Sequence, residues 1–155
     1  MSTCHTRSQR QDHYDLHRFV EAQAANYDDA LAELHAGRKC THWSWYVLPQ
    51  IRGLGSSPMS LRYAISGLAE ARAYLDHPIL GARLRECIAA MNAHAGLDAA
   101  TILGGIDSQK FHSCLTLFAQ VAEQDSPFHN ALATFFSGAE DPATMTILAR
   151  QADAY

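Results

Sequence analysis

The sequence predicts an all-α fold: a compact single-domain bundle of about seven to nine short helices. Three observations carry that expectation. Alanine is the commonest residue, while only nine Gly and five Pro interrupt 155 positions, and Ala gives up no side-chain entropy in a helix. Apolar residues recur at spacings of three and four along most of the chain, the mark of a buried helical face. No segment sustains the period-two alternation of a half-buried strand.

Met1 to His13 is polar and has no apolar stretch, which reads as a loose N-terminal tail over residues 1–13. Residues 14–150 form one helical domain, and 151–155 a short C-terminal tail. Leu16, Phe19, Val20 and Gln23 follow Asp15, the expected N-cap. Tyr27, Leu31 and Leu34 repeat the spacing up to Gly37, a natural C-terminal stop. Thr41 to Leu48, closed by Pro49, is rich in β-branched and aromatic residues. That leaves a strand open, but a short buried helix is the expectation.

Arg52 to Pro58 is a Gly- and Ser-rich loop. Ser57 then Pro58 reads as N-cap and first helical position of a helix through Leu61, Tyr63 and Ile65. Leu68 to Leu75 forms another, stopped near His77-Pro78. Leu80, Leu84, Ile88 and Met91 then share one face, with Arg83, Arg85 and Glu86 outward. Asp98 caps a turn holding Ile102 and Leu103, broken by Gly104-Gly105. Asp107 starts the strongest helix, with Phe111, Leu115, Phe118 and Val121 in phase. Phe128 to Phe136 makes another before Gly138, and Met145 to Leu148 docks last.

A chain with 48% hydrophobic and 18% charged residues is globular rather than disordered. The longest apolar runs, such as Tyr46-Val47-Leu48, are far too short to span a bilayer, so no membrane association is expected. A net charge of −4 gives no general reason to bind nucleic acid. Cys4, Cys40, Cys87 and Cys114 contain no CxxC pair, which favours reduced thiols and a cytoplasmic location.

One string is long and specific: His42-Trp43-x-Trp45-Tyr46-x-x-Pro49-Gln50, then Gly53-Leu54-Gly55-x-Ser57. With Phe19-Val20-x-Ala22-Gln23, Tyr63-x-Ile65, Glu70-Ala71-x-x-Tyr74-Leu75, His77-Pro78-x-Leu80-Gly81-x-Arg83-Leu84 and Asp107-x-x-Lys110, it resembles domain-of-unknown-function family 1810. That bacterial family is often labelled calpastatin. The resemblance covers about residues 16 to 148 and implies a compact helical fold, with no established activity and no catalytic residues to carry over. The inhibitor behind the label is mostly disordered until it binds its protease, whereas this chain has a full apolar core pattern. Ser44-Trp45-Tyr46-Val47 departs from the family's more usual Met-Trp-Phe-Ile but keeps both tryptophans.

The site expected from chemistry lies within residues 42–63. Gly53 and Gly55 let the backbone approach a ligand closely. Ser57 opens a helix whose free N–H groups attract anions, with Arg52 and Arg62 as cationic donors. The structural alternative is a plain capped turn. Trp43 and Trp45, one residue apart, cannot both face the core from one helix face, so one is expected to line a cleft, the alternative being a packed aromatic layer; Gln50 and Tyr63 complete the candidate binding set. His42 and Lys110 are the candidate acid–base groups, against a carbonyl-bonded histidine and an ordinary Asp107–Lys110 surface pair. His13/His17 and Cys40-x-His42 lack a third ligand at a recognised spacing, so neither a metal nor any other cofactor is expected. The function these residues point to is binding of a small anionic ligand of nucleotide or phosphosugar type. The alternative is a non-catalytic protein-interaction or regulatory module.

Overall fold

Ten helices and no strand make up the described residues, 12–153, of the computed structural model. They are α1 (His17–Ala24), α2 (Tyr27–Ala36), α3 (Ser44–Val47), α4 (Pro58–Arg62), α5 (Leu68–Asp76), α6 (Leu80–Asn92), α7 (Ala99–Leu103), α8 (Gly105–Ala119), α9 (Pro127–Phe136) and α10 (Pro142–Asp153). The class is all-α, with the helix number just above the expected range. Of the expected N-terminal tail, only Asp12 and His13 are described; Cys4 lies outside.

The centre of the bundle is α8, which packs against α3, α5, α7, α9 and α10. Its second half is buried at Phe111 and from Ser113 to Ala119, with His112 partly exposed between them, so most of its circumference faces other helices. The polar members of that stretch are satisfied. Ser113 donates to the Gln109 carbonyl and the Asp141 carboxylate, and Thr116 donates to the His112 carbonyl. A row of rings threads the core outward from it: Phe128 on Phe118 (5.8 Å), Phe118 on Tyr74 (5.3 Å), Tyr74 on Phe19 (5.1 Å) and Phe19 on Tyr63 (5.8 Å). The predicted faces of α6 and α8 are buried at Leu80, Leu84, Ile88, Met91, Phe111, Leu115 and Phe118, all at most 1% exposed, but Val121, the last residue expected in phase, lies past the end of α8 and is half-buried.

Local signals set several ends. Gly37 closes α2 at φ 75°, a left-handed conformation that glycine adopts without strain. Ser57 caps α4 by accepting from the Ser60 amide, with Pro58 at the first helical position.

Other ends differ from expectation. Asp15 is not the cap of α1: it sits at φ 54°, and Asp12 instead accepts from the Leu16 and His17 amides at 2.6 and 3.2 Å. The Leu16–Leu34 pattern is cut into α1 and α2 at Ala25-Asn26, where the Asn26 amide side chain donates to the Tyr46 hydroxyl. α4 stops at Arg62, before Tyr63 and Ile65. α8 begins two residues before Asp107. α10 continues past residue 150 to Asp153, and Gln151 donates to the Ser66 carbonyl.

The strand left open near residue 48 reduces to one parallel bridge between Ile51 and Ile65. Its bonds, Arg52 N–H to Ile65 O and Ile65 N–H to Gln50 O, are both 2.8 Å. This bridge ties both ends of the Gly53–Arg62 excursion to the body.

Candidate functional site

The site begins with a clasp. Glu33 on α2 accepts from the Cys40 and Thr41 amides (2.6 and 3.0 Å), the Thr41 hydroxyl (2.6 Å) and the Trp43 indole N–H (3.1 Å). Burial pushes its carboxyl pKa up, but these donors outweigh burial and hold it at about 2. The clasp fixes the chain entering α3, and the two tryptophans then part. Trp43 is 1% exposed and belongs to the core. Trp45, pointing the other way, is half-buried and forms a wall, with the Lys110 ammonium 4.4 Å from its ring centroid.

Two clefts meet at that wall, and Trp45, Ile106 and Lys110 line both. The first, about 490 Å³, lies between the Gln50–Gly55 loop, α4 and α8. It gathers Trp45, Gln50, Gly53, Gly55, Tyr63 and Lys110 from the expected set, together with Gln109 and His112. The second, about 510 Å³, opens on the other side toward Lys39, His42, Ser44 and Asp107.

Three expected residues line neither cleft. Arg52 is exposed. Ser57 spends its hydroxyl on the cap of its own short helix. Arg62 turns back, its Nε donating to the Tyr63 hydroxyl at 3.2 Å. His42 is exposed at the second cleft, and its carbonyl accepts from the Tyr46 hydroxyl at 3.3 Å.

The cations come from elsewhere. Lys110 lies 3.4 Å from Asp107, the expected one-turn pair, but the shorter contact, 2.8 Å, is from Lys39. The Lys39 side chain is only 6% exposed, and its ammonium also sits 4.9 Å over the Trp43 ring. Burial raises the Asp107 pKa, yet the bond and charge of Lys39 and the charge of Lys110 overcome it, so the carboxyl stays below its ordinary value. The Ser44 hydroxyl is near enough to favour that charge but falls outside hydrogen-bond geometry. Among the described residues its oxygen is therefore buried without a hydrogen-bond partner.

Sequence reasoning missed Lys39, and nothing local marked it. It also passed over His112, whose Nε2 meets the Ala139 carbonyl at 2.7 Å while the ring stacks on Phe136 at 4.0 Å. Asp141 serves the start of α10, taking the Thr144 amide and hydroxyl. Among the described residues, no three His, Cys, Asp or Glu side chains converge as a metal site would require. No helix among them is long and apolar enough to cross a membrane.

The family described as protein of unknown function, DUF1810, matches residues 13–148. The chain belongs to the DUF1810 family. The conserved hypothetical protein Rv1873 from Mycobacterium tuberculosis, known from a crystal structure, is 48% identical to this DUF1810 member. The two agree at a TM-score of 0.85, over 87% of this chain and 96% of that one. No curated protein matches the chain.

Proposed function

We propose that this DUF1810 chain binds a small anionic, ring-bearing ligand, of nucleotide or phosphosugar type, in the cleft walled by Trp45 and Lys110. The observation that carries the reading is the half-buried indole with an ammonium 4.4 Å from its ring, both facing two adjoining clefts. An indole face stacks on a flat ring, and the ammonium answers an acidic group beside it. Gln50, Gln109 and Tyr63 add hydrogen-bonding groups around the first cleft. The cation of the site is Lys110; Arg52 and Arg62 stand outside it. The three described cysteines are free thiols, which agrees with a reducing, cytoplasmic setting.

Thermal unfolding with and without nucleotides, sugar phosphates and inorganic phosphate tests the reading, since a ligand of the native state raises Tm by mass action. Quenching of Trp45 fluorescence locates the event. Trp45→Phe should weaken a nucleotide more than phosphate, and Lys110→Met should weaken both. If nothing stabilises the protein at millimolar concentration, the reading fails. The interaction-module alternative then gains ground. Its own support is Ile106 and Leu61, 75% and 56% exposed beside the first cleft, an apolar pair a protein partner would cover.

A further inference from the structure

We infer that the second cleft is a phosphoryl-binding subsite built on the start of α8, so that a bound ligand spans the Trp45 wall with its ring in the first cleft and its phosphate in the second. The inference rests on the ligand reading above for the ring, but not for the phosphate.

Four observations converge. α8 runs for 15 residues, and no side chain among the described residues caps it. The N–H groups of Gly105 and Ile106 have no acceptor among the described residues. Such a terminus carries a partial positive charge and aims its amides at an anion. Gly104 stands at φ 89° and ψ 162°, a conformation suited to glycine, and a Cβ at Gly104 or Gly105 would meet nothing within 4 Å. Gly104, Gly105 and Ile106 are exposed and line this cleft. Lys39 and Lys110 flank a single carboxylate, Asp107, so the cluster keeps net positive charge even before the helix contributes. Finally, Ser44, 2% exposed, lines this cleft, and among the described residues its hydroxyl has no hydrogen-bond partner, the Asp107 carboxylate lying near but outside hydrogen-bond geometry. A buried hydroxyl left unsatisfied costs free energy, and a phosphoryl oxygen at the α8 terminus would give it an acceptor.

The contrast with α4 sharpens the point. There Ser57 occupies the terminus with its own hydroxyl; here two glycines leave the terminus bare. Asp107 is the opposing element, repelling an anion while holding both lysines in place.

The test is a titration with inorganic phosphate followed by ¹⁵N–¹H spectra of the full chain. The Gly105 and Ile106 amides should shift saturably, with chloride at equal ionic strength producing no such shift. Gly105→Pro removes one donor at the first helical position, where proline is tolerated, and should weaken phosphate at least tenfold. Gly105→Ala keeps the donor and should bind within about twofold of wild type. Ser44→Ala, which leaves the helix backbone intact, should also weaken binding several-fold. Still amides at α8, or a Gly105→Pro variant that binds as wild type, overturns the inference. Trp45 quenching by a nucleotide with no shift at α8 also overturns it, while sparing the ring site. Phosphate shifts at α8 with no nucleotide response from Trp45 upholds the subsite and removes the ring site.

Discussion

Replacing Gly81 by alanine sets two effects of opposite sign against each other. Gly81 lies in the first turn of α6, and from sequence alone Gly→Ala in a helix promises about 0.5–1 kcal/mol of stabilisation through propensity and a less disordered unfolded chain. In the fold, the added Cβ would lie 2.0 Å from the Leu75 carbonyl oxygen and 2.9 Å from its carbon. An ordinary carbon–oxygen contact is about 3.3 Å, so the last turn of α5 must retreat by more than an ångström. The obstacle is backbone rather than a flexible side-chain tip, which places the cost at or above the top of the roughly 1–3 kcal/mol range for overpacking. The net expectation is a loss of about 2–3 kcal/mol, read as a lower urea midpoint at unchanged slope. That corresponds to a Tm lower by roughly 5–10 °C for a domain of this size. Gly96→Ala is the control: its Cβ meets nothing within 4 Å, so it should be neutral or stabilising by up to about 1 kcal/mol. A Gly81→Ala protein as stable as wild type would refute the reasoning, because the α5–α6 approach would then not depend on the missing side chain.

Phe118→Ala, at a fully buried ring between Tyr74 and Phe128, should cost roughly 3–5 kcal/mol in a denaturant titration. Arg85→Ala, whose partner Glu123 is 56% exposed, should cost under about 1 kcal/mol; equal losses would contradict the burial pattern. Burial lifts the Cys87 thiol to about 12 and raises Cys114 as well, so both should resist alkylation until unfolding while Cys40, exposed, labels at once. Peptide mapping of labelled native protein decides this, and rapid labelling of Cys87 or Cys114 counts against it. Glu33, held at about 2 against an ordinary 4.5, adds stability that is present above pH 4.5 and lost as pH falls through about 2. The Tm of Glu33→Gln should therefore approach that of wild type across this acid window, and parallel Tm–pH curves would show that the clasp contributes nothing.

Much of the helical plan was legible because the signals that write it act within one or two turns. The three-and-four spacing of Leu80, Leu84, Ile88 and Met91 names a buried face whatever that face packs on. Ser57-Pro58 and Gly37 fix helix ends through their own backbone preferences. The split between Trp43 and Trp45 follows from the same local geometry, since adjacent odd positions on so short a helix point apart. The errors also mark the reach of local rules. Asp15 and Asp12 offer the same carboxylate a few residues apart, and only the path of the chain before α1 decides which one meets the free amides.

The site's charges were not legible. Nothing near Lys39 announces Asp107; their ion pair exists because α7 packs on α8 and the Lys39 amide bonds to the Ile102 carbonyl. Arg52 and Arg62, near the glycines in sequence, line neither cleft: Arg52 follows the Ile51–Ile65 bridge and is exposed, and Arg62 donates to the Tyr63 hydroxyl. Sequence thus determined which segments are helical and which side of each is apolar, since both depend on residues a turn apart. Which cations meet which helix start was left to the tertiary structure, because it depends on how separate helices cross, and that is set by the volumes of side chains packed between them.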